Sequence, residues 1–187
     1  MNYRVAIDVG HARRTGSKGN GYDEHEECKV LARELKKALE RFKVDHYEAD
    51  IIDFEHLDND TDLVATVHTV NRGGYDVSVS LHMDHYDDAD AHGAHVCYVS
   101  AAGKELAKEI ALRLCPQMPG RAEQLVKRTG LYVLRKTDPV AVLVECGFIS
   151  NEGDAKWVHE NPDKVALSIA LGVAAFCDLH LVDREVI

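Results

Sequence analysis

Four side chains in this 187-residue chain have types and surroundings that could do chemistry together: His11, Glu24, His82 and Glu145. Three of them stand at the ends of apolar, β-branched runs: YRVAIDV leading to Gly10-His11, VSVSLH ending on His82, and VAVLV leading to Glu145. Such runs read as buried strands, and the C-terminal edge of strands in an open α/β sheet is where ligands bind. Glu24 falls in the first turn of a helix, after a Gly-, Ser- and Arg-rich loop long enough to fold it back toward His11. Two histidines and one carboxylate are a common ligand set for a catalytic zinc ion, whose fourth position stays open for water. A second carboxylate can then take a proton. The four residues are far apart and form no compact HExxH motif, so residue types alone point only to a candidate metallohydrolase.

Each of these residues also has a structural reading. The chain holds 11 histidines, and His85, His92 and His95, in HMDHYDDADAHGAH, read as part of a solvated acidic turn. Glu24 shares its helix start with Asp23, Glu26 and Glu27, where acidic groups favour the helix dipole whatever else they do, so Glu26 and Glu27 stay open as alternatives. Glu145 is the hardest to explain structurally, because an ionisable group directly after VAVLV is costly without a partner. Asn151 and Asp154 read as a capping box. Arg135 could fix substrate, pair with a carboxylate or lie on the surface, and Arg13-Arg14 read as a solvated loop bordering the groove.

Around these residues, Cys28, Leu31, Ala32, Leu35, Leu39 and Phe42 recur at helical spacing behind Glu24. A weaker strand is expected over Val44–Glu48, then a helix capped by Asp60-Thr61-Asp62, with Leu63, Val67 and Val70 inward and Gly73-Gly74 at its end. Gly93–Val99 reads as a strand, Gly103–Leu114 as a helix, and Asp163–Leu179 as a final buried helix. The expected fold is α/β: a single domain over residues 1–180 with a tail at 181–187. Its twisted, mixed but mostly parallel central sheet has about six strands, with helices on both faces.

Composition narrows the partners. With 32 acidic against 22 basic residues, the net charge of -10 argues against nucleic acid or an anionic membrane surface. The five cysteines form no CxxC pair and are expected as buried free thiols. No run reaches the length of a signal-peptide core or a membrane span, so a soluble chain made in the cytosol is expected.

The stretches IDVGH, the acidic helix start at Glu24, VSVSLHMD and LYVLRKTDPVAVLVECGFISNEGD carry a resemblance that spans Val5 to about Leu179. Together they resemble the catalytic domain of zinc-dependent N-acetylmuramoyl-L-alanine amidases, the group of sporulation and autolytic amidases and phage endolysins. The resemblance implies one Zn2+ per chain held by His11, Glu24 and His82, with Glu145 as catalytic acid/base. Glu24 is chosen over its acidic neighbours by alignment with Ala32 and Leu35. Arg135 and Asp84 become candidates for substrate binding or for support behind the ligands.

The implied reaction opens the amide between N-acetylmuramic acid and L-alanine of peptidoglycan. The implied setting is a phage endolysin released through a holin, with sporulation release by cell lysis as the other route. A zinc carboxypeptidase or acyl-amino-acid hydrolase, and an inactive wall-binding module, are the alternatives. The chain departs from the family pattern at Val9 in place of proline, Ala12-Arg13 in place of glycines, Asp84 in place of asparagine, and Cys28 in place of an asparagine. The last of these alters a contact behind the metal.

Overall fold

A computed structural model describes residues 3–41 and 48–177. β1 (Arg4–Val9) leads through a hairpin, β2 (Lys18–Gly19) and β3 (Tyr22–Asp23), into α1 (Glu24–Leu39). After β4 (Glu48–Ile52) come α2 (Asn59–Arg72), β5 (Val77–Asp84), β6 (His95–Tyr98) and α3 (Ala101–Leu114). The chain then runs through β7 (Leu125–Lys127), α4 (Tyr132–Lys136), β8 (Val140–Phe148), α5 (Glu152–Glu160) and α6 (Pro162–Phe176).

Six strands join in the order β4-β1-β5-β8-β6-β7. All neighbours run parallel except β8 and β6, which are antiparallel. The expected mixed, mostly parallel sheet is the one observed. β5 and β8 lie at its centre; β8, covered on both faces, opens with the unbroken apolar run VAVLV, whereas β5 (VSVSLHMD) keeps a polar half that it turns to the second face.

Alternation within the strands separates the two faces. Val5, Ile7 and Val9 of β1, Val79, Leu81 and Met83 of β5, and Val142, Val144 and Cys146 of β8 enter the main core. That core is closed by α1, α3 and α6, which pack on one another. The residues between them face the other side, where Val67 of α2 and Val133 and Leu134 of α4 pack on Leu143 and Cys97 in a thinner cluster. This thin face carries Asp8, Ser80, His82 and Glu145. All five cysteines are buried, and Cys28, Cys97, Cys115 and Cys146 are free thiols, as expected.

Several boundaries differ from the sequence reading. The cap of α2 is Asp58, whose carboxylate accepts the amide of Thr61 at 3.0 Å and its hydroxyl as well. Asp62, expected within the cap, is instead buried. The strand expected at 44–48 appears as β4, starting at Glu48, and the rest of that stretch lies outside the described residues, as do Phe42, Leu179 and the tail. β2, β3 and β7 escaped the sequence reading because each is too short to show an apolar period.

Candidate metal centre

The site forms where β1 and β5 end side by side. The amide of Gly10 donates to the carbonyl of Leu81 at 3.0 Å, carrying the β1–β5 ladder one residue past the strand. A Cβ at position 10 would stand 2.3 Å from that carbonyl and 2.7 Å from the His82 ring, so only glycine allows this approach. His11 then adopts φ +62°, a conformation uncommon outside glycine that tends to persist where surrounding structure enforces it. Its ring meets that of His82 edge-on, with centroids 4.8 Å apart.

The β2–β3 hairpin returns the chain so that α1 begins beside both rings. Asp23 caps the helix by accepting the amide of His25 at 3.1 Å. Glu24 is the first helical residue and 2% exposed. Its Oε1 lies 3.1 Å from His11 Nε2 and 3.2 Å from His82 Nδ1, and accepts the amide of Met83 at 3.1 Å. Oε2 accepts the amide of Ser17 at 2.8 Å. Burial pushes the carboxyl up, but hydrogen bonds and charge from the two rings outweigh it and hold Glu24 well below the usual carboxylate range. Of the alternatives, Glu26 is exposed and Glu27 faces His159 at 3.1 Å. Glu24 is the acidic residue of that turn that meets the histidines.

One donor atom from each of His11, Glu24 and His82 falls within 4.8 Å of the other two. Tetrahedral zinc ligands at ~2.0–2.1 Å from the ion stand about 3.3 Å apart, close to the 3.1 and 3.2 Å found here. Two imidazole nitrogens and a carboxylate oxygen converging in this way fit a divalent cation of the zinc type.

Glu145 occupies the same row of the sheet. On β8 it is in register with His82 of β5 on one side and His95 of β6 on the other. Its Oε2 is buried without a hydrogen-bond partner. Burial, and then the negative charges of Asp84 and Glu24, push its carboxyl well above the ordinary value. His95 is no part of a solvated turn: it is 1% exposed, and its Nε2 faces Asp84 Oδ2 at 3.6 Å. Burial, helped by Arg121 and Arg128, lowers its pKa to about 3, so the ring is neutral. Four-residue β6 gave the sequence no alternation from which this burial could be read.

Asp84 closes β5 and accepts the amide of His85 at 2.8 Å. Arg135 lies exposed on α4 and forms no ion pair among the described residues. Arg13 and Arg14 are exposed, as expected for a solvated loop. Cys28 is buried in the main core one turn along α1 from Glu24.

The capping box at 151–154 is only half present. Asn151 accepts the amide of Asp154 at 3.0 Å, but Asp154 does not reach back to the cap. Its Oδ2 accepts the amides of Gly93 at 2.7 Å and Phe148 at 2.9 Å, pinning the loop before β6 to the end of β8. Both amides are buried and need an acceptor, a stronger demand than an exposed helix end makes.

Beside the metal donors, a cleft opens between α2 and α4, walled by Leu63, Leu131 and Val133 with Asp8 and Ser80 on the sheet. Asp8, concealed within the apolar IDV run, takes the Ser80 hydroxyl at 2.6 Å.

Comparison with known proteins identifies the family and the fold. The profile of a family described as N-acetylmuramoyl-L-alanine amidase matches residues 5–175. The chain is 26% identical over 181 residues to N-acetylmuramoyl-L-alanine amidase LytC of Bacillus subtilis, covering 92% of this chain and 35% of that protein. It is 25% identical to the probable cell wall amidase LytH of Staphylococcus saprophyticus, covering 92% and 57%. It therefore spans roughly a third and somewhat over half of these relatives' lengths. Among solved structures, the catalytic domain of the CD27L endolysin targeting Clostridia difficile superposes with TM-score 0.84 at 25% identity, covering 93% of this chain and 98% of that one. The catalytic domain of CwlV from Bacillus (Paenibacillus) polymyxa gives 0.84 at 21% identity over 95% and 99%, a likeness of fold.

Proposed function

This chain belongs to the N-acetylmuramoyl-L-alanine amidase family, and from that premise we propose that it hydrolyses the amide between the lactyl group of N-acetylmuramic acid and the L-alanine of the peptidoglycan stem. The observation that carries the reading is the single row in which Glu145 stands in register with His82, whose ring shares Glu24 with His11. His11, Glu24 and His82 would hold one zinc ion, which supplies Lewis acidity to polarise the scissile carbonyl and acidify the attacking water.

The remaining chemistry belongs to the chain. Glu24 is fixed by two backbone amides, so it stays oriented and charged between the rings. Glu145 takes the proton from the attacking water and passes it to the departing alanine nitrogen. Its environment suits proton transfer, since burial and the neighbouring carboxylates raise its proton affinity and its Oε2 has no hydrogen-bond partner to surrender. His95 stands beside it in register on β6, with its Nε2 facing Asp84. The cleft between α2 and α4 offers apolar walls for part of the muramyl peptide.

Glu145→Gln should retain zinc and lose about 10²–10⁴-fold in the turbidity clearance of purified sacculi, whereas His82→Ala should lose metal and activity together. Mass spectrometry of the digest should show new L-alanine amino termini. Cleavage at another bond would make the protein a carboxypeptidase or acyl-amino-acid hydrolase, and sedimentation with sacculi without clearance would make it a binding module. The likeness to the CD27L domain further supports a phage endolysin role, and a holin reading frame beside this one is the expected genomic setting. Flanking sporulation genes would overturn that assignment.

A further inference from the structure

On the far side of the first turn of α1 lies a second group of donors, His25, Asp53 and Glu55, one atom of each within 4.8 Å of the others. His25 is 0% exposed. Its Nδ1 lies 3.1 Å from the carbonyl oxygen of Gly10, which can only accept, so Nδ1 carries a hydrogen and Nε2 is the nitrogen left to meet a ligand. Nε2 is buried with no hydrogen-bond partner, and so is Asp53 Oδ1, the atom it faces at 3.8 Å. Two buried polar atoms thus face each other across a gap too long for a hydrogen bond. Buried polar atoms are rarely left in this state unless something bridges them.

We propose that His25, Asp53 and Glu55 bind a second divalent transition-metal ion of the Zn2+ class, distinct from the one between His11, Glu24 and His82. Tetrahedral donors at ~2.0–2.2 Å from a shared ion stand about 3.3–3.6 Å apart, so an inward shift of a few tenths of an ångström brings the pair, now at 3.8 Å, onto one cation. One imidazole with two carboxylates is a borderline N/O set that favours Zn2+ over a hard cation such as Ca2+. Lys29 holds Glu55 Oε2 at 2.7 Å, but a carboxylate has lone pairs to spare for a metal. The ion's place in the fold gives it a role. His25 is held by the carbonyl of Gly10, the residue before His11, and the carbonyl of Glu55 accepts the amide of Arg13. An ion here braces both ends of the turn that carries His11. It is a positioning ion, removed from the reacting atoms.

Equilibrium dialysis against buffered Zn2+, with elemental analysis, tests this. The wild type should take up an equivalent for each of the two donor groups. His82→Ala should lose one, Asp53→Asn/Glu55→Gln should lose the other or weaken it at least about tenfold, and the combined variant should bind neither. Because Asp53 and Glu55 are partly exposed, their amide variants should fold; thermal melting in chelator checks this. Zn2+ should raise the Tm of His82→Ala, and Asp53→Asn in that background should abolish the rise. If His82→Ala binds no zinc and its Tm ignores the metal, His25 and Asp53 form only an ion pair and the proposal falls. If His82→Ala keeps its full complement while the Asp53 variants lose an equivalent, the first centre is misassigned and the second stands.

Discussion

Asp8 lies on the strand that leads to His11, with its carboxylate buried and taking the Ser80 hydroxyl at 2.6 Å. Burial raises its pKa to about 7 against that hydrogen bond. Asp62, also buried, is raised to about 6 by burial and the charge of Asp53. An acid with a raised folded pKa keeps its proton after the unfolded chain has released it, so stability falls as pH rises between the ordinary carboxylate value and the folded one, then levels off. Asp8 and Asp62 each contribute such a decline between about pH 4 and 7, against the opposite trend from His95, whose lowered pKa adds stability as pH rises toward 6.5. In urea denaturation of chelator-treated protein, Asp8→Asn should remove up to roughly 3–4 kcal/mol of decline from the wild-type pH profile, leaving the shares due to Asp62, Glu145 and His95. An unchanged slope in the variant would refute this. At this scale the sequence was informative where chemistry interrupted an apolar pattern. His11, His82 and Glu145 all follow such runs, whereas Asp8 sits inside one and His25 is masked by the acidic residues around it.

Strands and helices position these groups, and the most exacting of the joints is the one made by Asp154. Its carboxylate satisfies two buried amides from segments that sequence separates widely, Gly93 before β6 and Phe148 at the end of β8. Asp154→Ala should cost on the order of 2–4 kcal/mol by leaving both amides unpaired, visible as a lower Tm. It should also reduce clearance of sacculi, because His95 and Glu145 are presented by the segments it joins. Loss of only the fraction of a kcal/mol expected for a surface helix position would show that water replaces the carboxylate. A capping pattern in sequence identified Asn151 and Asp154 as a pair, yet the partners of Asp154 are tertiary and no local rule could name them. The long buried strands were legible for the opposite reason: apolar composition over five or more residues admits few other placements. Short β7 acquires its identity only from the neighbour it pairs with, whereas β6 was expected within Gly93–Val99.

Across the molecule, the thick helical layer of α1, α3 and α6 and the thin layer of α2 and α4 give the two sheet faces different duties. The thick side holds most of the core, including Cys28, Cys115, Cys146 and Cys177, and Cys97 lies in the thinner cluster. Burial pushes the thiols of Cys97 and Cys115 up to about 11. Free thiolate is the reactive form, so a thiol reagent at pH 8 should label none of the five cysteines in the native protein and all of them after denaturation. Rapid native labelling would mean that the core opens locally. The overall α/β plan was readable from the alternation of strands and helices, but the unequal division of its faces was not, because it depends on which helices meet after folding. Glu145 is held on a central strand with hydrogen-bonded neighbours along both edges, while its surroundings are built from turns at positions 10–23 and 85–94. The ladder tolerates no insertion, but away from Gly10, His11 and Gly93 the turns can exchange residues without disturbing it. If the protein acts as proposed, variation in what it binds therefore has its room in those turns, with the carboxylate of Glu145 as the fixed point around which they vary.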